Sequence, residues 1–518
     1  MLGLGSRMAA LVGALALCAV LVTAVAAEPA AAEAPPKLRV TAGERAAEAY
    51  LLGWCIPPGV PVPGAGSCGI AGPPTGPYPA LAVSPGSEVV IDTGVEAGAV
   101  NVALSRPDAE SEGSSSGAQR LDARRWAFLM PTIATARATI DVEYAEGGDS
   151  RSQLTLRRIV AENDGRSSVA AYGDVVAWSE QRATSGGGEP DAVAPFDLMA
   201  LVDGKVRRLG VAPRSVPFDV DVGPGEDGGV VAVYSRCADE PSPDDPGFVY
   251  ARPYPAYTRG GGCDVYRVDV DGGKERKVAG ASTDQASEVL PSIWRDEIAF
   301  ARVYEQREGS RGRYPYLYVR PLAGGRSQRQ PGGSRGASGL PGPTSIDLYG
   351  RRLSFVWNYR TGSGDGDTGG VSEVRLDTVG GEHRVLSQAS HDGTRPGGAY
   401  ASFLSPQGSE GRIFYGYGRV RVEDVSSVPV EPGGVDPGGL RVNGKPLSSL
   451  LLGYRLDDGD KELIRTPSEI AGVATTGRDR FYVAQRRDFV EQFGGATTII
   501  DISDLPVAPG PPQPQRGR

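Results

Sequence analysis

Asp174-Val-Val-Ala-Trp-Ser179 decides the fold, because the same short phrase returns along the chain: Gly229-Val-Val-Ala-Val-Tyr234, Glu297-Ile-Ala-Phe-Ala-Arg302, Arg352-Leu-Ser-Phe-Val-Trp357, Arg412-Ile-Phe-Tyr-Gly-Tyr417 and Arg480-Phe-Tyr-Val-Ala-Gln485. Taking Val175, Val230, Ile298, Leu353, Ile413 and Phe481 as equivalent, the spacings are 55, 68, 55, 60 and 68 residues. A quasi-period with variable insertions marks repeated supersecondary units, each of which needs its neighbours to cover its apolar face. Within a repeat the order is constant. It runs from a strand such as Asp219–Val222 through a tight turn to Gly229–Tyr234, then through a long loop to Asp264–Val268, a Gly turn and Glu275–Val278. Four antiparallel strands of this kind make one propeller blade.

The repeats resemble those of the six-bladed TolB-like and WD40-like propellers. The matching pieces are Ser405-Pro-Gln-Gly408, Ile298-Ala-Phe300, Asp264-Val-Tyr-Arg-Val-Asp-Val-Asp-Gly-Gly273 and Leu317-Tyr-Val-Arg-Pro-Leu-Ala-Gly-Gly325. No repeat carries the full Ser-Pro-Asp-Gly turn, and the sixth is the loosest match. The likeness covers about two thirds of the chain and implies a fold, not an activity. A ring of blades must close, since open outer edges invite association. Gln153–Val160 is expected to supply the closing strand beside Thr497–Ile500.

Working outward, the expected division is a signal peptide at 1–27, a linker at 28–37, a small β-sandwich-like domain at 38–150, a six-bladed β-propeller at 151–505 and a disordered tail at 506–518. Met8 to Ala27 is an uninterrupted run of apolar and small residues behind Arg7, ending in Ala-rich steps that suit signal cleavage. The sandwich rests on seven short β-type stretches: Leu38–Val40, Tyr50–Cys55, Leu81–Val83, Glu88–Asp92, Val100–Leu104, Trp126–Leu129 and Thr139–Tyr144. Between them, Ala109–Gln119 reads as an exposed Ser/Gly loop.

Four cysteines follow the signal, and proximity pairs Cys55 with Cys68 and Cys237 with Cys263, as an oxidising compartment allows. Zinc is disfavoured: no CxxC occurs, and the two histidines, His383 and His391, are far from the cysteines in sequence. The 63 acidic and 54 basic residues give a net charge of −9. That balance speaks against nucleic acid, whose backbone needs a concentrated positive face. With 73 Gly and 42 Pro, the chain is built for many strands joined by turns. No second long apolar run follows the signal, so the mature chain is expected to be a secreted or cell-envelope monomer without a membrane span or cofactor.

The long insertions Gln181–Ala194, Ala238–Gly262, Glu305–Tyr314, Asn358–Gly370 and Arg421–Leu447 all fall between the second and third strands of their repeats. They are therefore expected to crowd one face, where loops on a rigid scaffold carry binding. The candidate contact residues are Tyr254, Tyr257, Arg307, Arg313, Tyr314, Tyr359 and Arg360, side chains of the type that dominate recognition hot spots. Asp365 and Asp367 make a partial calcium pattern that lacks its distant Glu. Gly113-Ser-Ser-Ser-Gly117 and Gly332-Gly-Ser-Arg-Gly336 spell a nucleophile elbow without the strand and helix that elbow requires. Trp178, Trp294 and Trp357 are expected in the cores between repeats. Together these features point to a non-catalytic binding or scaffolding protein whose partner is an envelope or extracellular protein or glycan. The alternative is an extracellular glycosidase or lyase acting on polysaccharide through carboxylates in the central funnel.

Overall fold

The computed structural model describes residues 34–505 apart from 64, 73, 75–76, 107–113, 132–134, 164–167, 183–194, 241–260, 305–314, 332–341, 361–369, 392–398, 428–439, 467–469, 477–479 and 487–496, together with 508–509. The chain is all-β: no α-helix occurs among the described residues.

Six antiparallel sheets follow one another after residue 168, and the repeated phrase supplies the second strand of each. Sheet 1 runs Val169–Tyr172, Val175–Gln181, Phe196–Val202 and Lys205–Arg208. Sheet 2 is Asp221–Pro224, Val230–Asp239, Gly261–Asp269 and Arg276–Lys277, and sheet 3 is Ala286–Trp294, Glu297–Tyr304, Pro315–Pro321 and Gln328–Arg329. Sheet 4 comprises Gly342–Tyr349, Arg352–Arg360, Gly370–Thr378 and His383–His391. Sheet 5 comprises Ala399–Ser409, Arg412–Ser427, Leu440–Arg455, Lys461–Arg465 and a fifth short strand, Ala508–Pro509. Sheet 6 has only three strands of its own, Ile470–Thr475, Phe481–Arg486 and Thr497–Asp501, and takes its fourth from before sheet 1.

That fourth strand is the end of Asp149–Asn163, where Ile159 lies opposite Ile500 and Asn163 opposite Thr497. The expected donor, Gln153–Val160, is thus displaced toward its C-terminal end. The reason is that the preceding residues are already committed. Residues 149–156 pair on one edge with Ala136–Tyr144, and the other edge takes Tyr50–Ile56 antiparallel and then Ala80–Val83 parallel. One strand therefore runs through residue 150, where the sequence reading divides the chain.

The remaining N-terminal strands form a second, five-stranded sheet in the order Arg45–Glu48, Arg39–Ala42, Glu88–Asp92, Arg125–Leu129, Gln119–Arg120. Alternate residues of both sheets, among them Val40, Val89, Ile91 and Phe128 from one and Val102, Ile140, Val142 and Leu154 from the other, make a single apolar core. Ala109–Gln119 is not wholly a loop. Ser114–Gly117 pairs with Ala97–Ser105, so the serines of the Gly113–Gly117 pattern lie on an edge strand.

The other cores lie between consecutive sheets. Sheets 1 and 2 share one around Phe196, Phe218 and Tyr234, sheets 2 and 3 around Val233, Ile293 and Phe300, and sheets 3 and 4 around Ala299, Phe355 and Trp357. Sheets 4 and 5 meet at Val356, Phe403 and Tyr415, sheets 5 and 6 at Phe414, Ile470 and Phe481, and sheets 6 and 1 at Trp178, Ala474 and Ile499. Trp178 and Trp357 are buried in these cores, as the sequence leads one to expect; Trp294 is only half-buried.

Arg421–Leu447 is largely a continuation of a long hairpin, with Ser427 still opposite Leu440. His383 and His391 are the first and last residues of the fourth strand of sheet 4. Ala508–Pro509 pairs with Glu462 and Leu463, so that part of the expected tail is structured.

Both disulfides join residues directly opposite each other in a hairpin. Cys55 faces Cys68 and Cys237 faces Cys263, the second pair closing the base of the insertion in sheet 2. No helix among the described residues is long and apolar enough to cross a membrane.

Candidate functional site

The first strands of the six sheets lie side by side in sequence order, and Ile470–Thr475 of sheet 6 also touches Val169–Tyr172 of sheet 1. Where their C-terminal ends converge they line a partly open cavity of about 20 Å3. Tyr172, Val222, Trp294, Asp347, Gln407 and Thr475 line it, one residue from each of the six strands.

Aromatic side chains cover this end. Tyr172, Trp294 and Tyr349 are each the last residue of their strand. Tyr172 meets Trp294 edge to face at 5.8 Å, and Trp294 packs on Tyr349 at 4.1 Å. All three are half-buried.

Behind them lies a belt of polar side chains that ties the first strands of sheets 2 to 5 each to the next. The first strands of sheets 3, 4 and 5 each carry an irregularity of pairing, between Val289 and Ser292, Pro343 and Ser345, and Leu404 and Gln407. Such bulges leave backbone N–H groups without ladder partners. Carboxylates of the preceding sheet receive two of the amides around the first bulge: Asp219 Oδ2 accepts from Leu290 N at 2.8 Å, and Asp221 Oδ2 accepts from Ile293 N at 3.1 Å and Ser292 Oγ at 2.6 Å. Ser292 Oγ in turn accepts from Leu348 N at 2.7 Å, and Asp347 Oδ2 accepts from Gly408 N at 2.6 Å. The chain of bonds thus passes from sheet 2 to sheet 5. Ser405-Pro-Gln-Gly408, the piece resembling a propeller turn, lies within the first strand of sheet 5 at its bulge, with Ser405 at a φ of 40°.

Glycine permits two of these approaches. A Cβ on Gly223 would stand 2.1 Å from the carbonyl oxygen of Ile293, and one on Gly408 would stand 2.4 Å from Tyr349 Cβ.

Burial governs the acids here. It pushes Asp221 up to about 6 and Asp347 well above the usual carboxylate range, where the neighbouring Asp221 charge adds to the effect. Asp219 is held differently: Arg214, itself buried, lies 3.5 Å away, and Ser235 donates both its N–H and its hydroxyl. Glu288 is pushed up to about 7 by burial, although Arg302 Nε donates to it at 2.8 Å.

The residues expected to bind are placed elsewhere or not described. Tyr254, Tyr257, Arg307, Arg313, Tyr314, Asp365 and Asp367 lie outside the described residues, as does Gly332–Gly336. Tyr359 and Arg360 belong to the strand Arg352–Arg360, opposite Val371 and Gly370; their side chains lie outside the described set. Among the described residues no group of three or more His, Cys, Asp or Glu side chains is arranged to hold a metal. The sequence alone singles out neither Tyr172 nor Tyr349 and places Trp294 in a core, although each stands just before the tight turn that precedes an aligned second strand: Tyr172-Gly173, Trp294-Arg295 and Tyr349-Gly350.

No family model matches the chain, and no curated protein matches it in sequence. Among solved structures it is similar to an oligogalacturonate lyase in complex with manganese, at 12% identity, TM-score 0.32, over 72% of this chain and 86% of that one. It is also similar to the β-propeller domain of the Trilobed protease from Pyrococcus furiosus, at 10% identity, TM-score 0.31, over 77% and 88%. A third, the polysaccharide lyase Uly1, has 10% identity and TM-score 0.25 over 71% and 75%. Likenesses this slight bring no chemistry to the chain, which has to be read from its own residues.

Proposed function

We propose that the protein is an exported, non-catalytic binding or scaffolding module, a six-bladed β-propeller preceded by a β-sandwich-like unit. What supports the ring is that every core of the repeat region is shared by two consecutive sheets, the last pair being sheets 6 and 1. What supports export is the pair of disulfides, which persist in an oxidising compartment.

The observation that carries the non-catalytic reading is the size and occupation of the centre. The cavity, at about 20 Å3, has room for about one water molecule. Asp221 and Asp347 beside it are engaged by backbone N–H groups of the next strand, a structural use. Binding is then assigned to the face built by the long loops between second and third strands, with Tyr254, Tyr257, Tyr314 and Tyr359 as contacts for an envelope or extracellular protein or glycan.

The test is a glycan array and capture from an envelope extract, run with the protein and with a variant in which those four tyrosines are alanine. Binding that the variant loses supports the assigned face; binding that it keeps removes it. The alternative, a polysaccharide-acting enzyme, draws on the two acids at the centre. Release of oligosaccharides from polysaccharide by the protein, abolished by Asp347→Asn, would establish that reading instead.

A further inference from the structure

We propose that the mouth of the central cavity seats a primary ammonium group carried on an alkyl stem, at the end of the ring away from the long insertions. The cavity opens where the first strands end and turn into the second strands. Each second strand then runs back, antiparallel, to the opposite end, where its insertion begins. The site is therefore separate from the loop face and does not depend on it.

An acid without a cation comes first. Asp347 lines the cavity and is 8% exposed; its Oδ2 accepts from Gly408 N at 2.6 Å, while Oδ1 takes no hydrogen bond and the carboxyl no ion pair among the described residues. The arginines of the adjoining turns do not serve it. Arg351 donates to the carbonyl of Val379, and Arg295 and Arg352 are exposed. Gln407, also buried, lines the cavity too, and its Nε2 donates to Pro406 O at 3.2 Å, which leaves Oε1 as a second acceptor. A buried carboxyl with a free oxygen is matched best by a charged donor.

Size and surroundings narrow the ligand. A cavity of about 20 Å3 admits about one water molecule, and the head of a primary amine is nearly that small. Tyr172, Trp294 and Tyr349 flank the opening, half-buried and packed on one another. Their rings offer apolar surface to a methylene stem and a negative face to a cation. A hard metal ion asks for six or more oxygens, and among the described residues no group of three His, Cys, Asp or Glu is arranged to hold one. An anion would meet the charge of Asp347. The ammonium donates to Asp347 Oδ1 and Gln407 Oε1, and its stem leaves along the three rings. Two sources carry this chemistry, a free alkylamine and a lysine side chain of another protein.

The test is calorimetric titration of the full chain with butylamine, butanol and butyltrimethylammonium. Butylamine should bind at one site. Butanol has no charge and the trimethylated head overfills the cavity, so each should bind at least about tenfold more weakly. Asp347→Asn keeps an acceptor for Gly408 and should weaken butylamine by about tenfold or more. No binding of butylamine, equal binding of the three probes, or an affinity that Asp347→Asn leaves unchanged overturns the proposal. Should that variant not fold, Tyr172→Leu takes its place: it removes a ring at the opening and should weaken butylamine, and an unchanged affinity overturns the proposal. A Gly-Lys-Gly peptide blocked at both ends separates the sources. Binding at least as tight as that of butylamine supports a lysine of a partner protein, and binding of butylamine alone supports a free amine.

Discussion

Replacing Arg157 by Met should separate the closing strand from the last sheet. Arg157 sits in the strand Asp149–Asn163 and grips Asp504, just beyond sheet 6, with two bonds of 2.9 Å from Nε and Nη2. The two side chains are 8% and 4% exposed, so the pair is buried. Methionine keeps most of the apolar stem and removes only the charge, leaving Asp504 buried without its cation. Breaking a buried pair from one side costs about 3–5 kcal/mol. A chain this long carries roughly 1 kcal/mol/K of unfolding entropy if it melts as a unit, so the midpoint should fall by about 3–5 °C. The double variant Arg157→Met, Asp504→Leu removes both charges and should recover most of the loss, because apolar replacements of buried pairs are near neutral or better. Urea denaturation of the four proteins closes the cycle. A single variant that costs less than about 1 kcal/mol, or a double variant as poor as the sum of its parts, refutes the clamp.

Gly223→Ala should cost about 2–3 kcal/mol in the same assay, since its Cβ meets backbone that no rotamer can move, whereas Gly210→Ala, whose Cβ meets nothing within 4 Å, should leave the midpoint unchanged. Replacing Cys237 and Cys263 by Ser should lose roughly 3 kcal/mol, as expected for a 26-residue separation, and adding a reductant to that variant should lower its melting point further only through Cys55–Cys68. Glu288, raised by burial to about 7, binds its proton more tightly folded than unfolded; the stability it lends is present at acid pH and lost as pH climbs through 7, so the melting point should be lower at pH 8 than at pH 5. Glu288→Gln should reduce that difference, and an unchanged difference would show that the burial penalty is not felt.

The second strands were legible in the sequence because both of their faces are covered. Val175-Val-Ala-Trp and Ile298-Ala-Phe-Ala are buried at consecutive positions, so they read as continuous apolar runs. The first strands hid themselves. Asp219, Asp221, Ser292 and Asp347 are polar, yet they are buried, because their partners are amides on the adjacent strand and not water. Composition alone cannot distinguish such residues from a solvated turn, which is why Ser405-Pro-Gln-Gly408 reads as a turn and folds as a bulged strand. The outer strands Arg276–Lys277 and Gln328–Arg329 are two residues long and exposed, too brief for any period to register. As for the site, the aromatic residues at the strand ends carry a positional signal that only the alignment of turns reveals, and hydropathy carries none.

The union of residues 159–163 with 497–500 also sets an order of events during synthesis. The donor segment leaves the ribosome early and has its upstream half occupied at once by neighbours in sequence, but its downstream half waits for a partner more than three hundred positions later, as the 347-residue separation of Arg157 and Asp504 measures. Joining ends so far apart carries a large loop-closure entropy and belongs to the slow class of nonlocal pairings. Until then an unsatisfied β edge stays open, so a stalled or clipped chain is the species most prone to swap strands with a sister molecule.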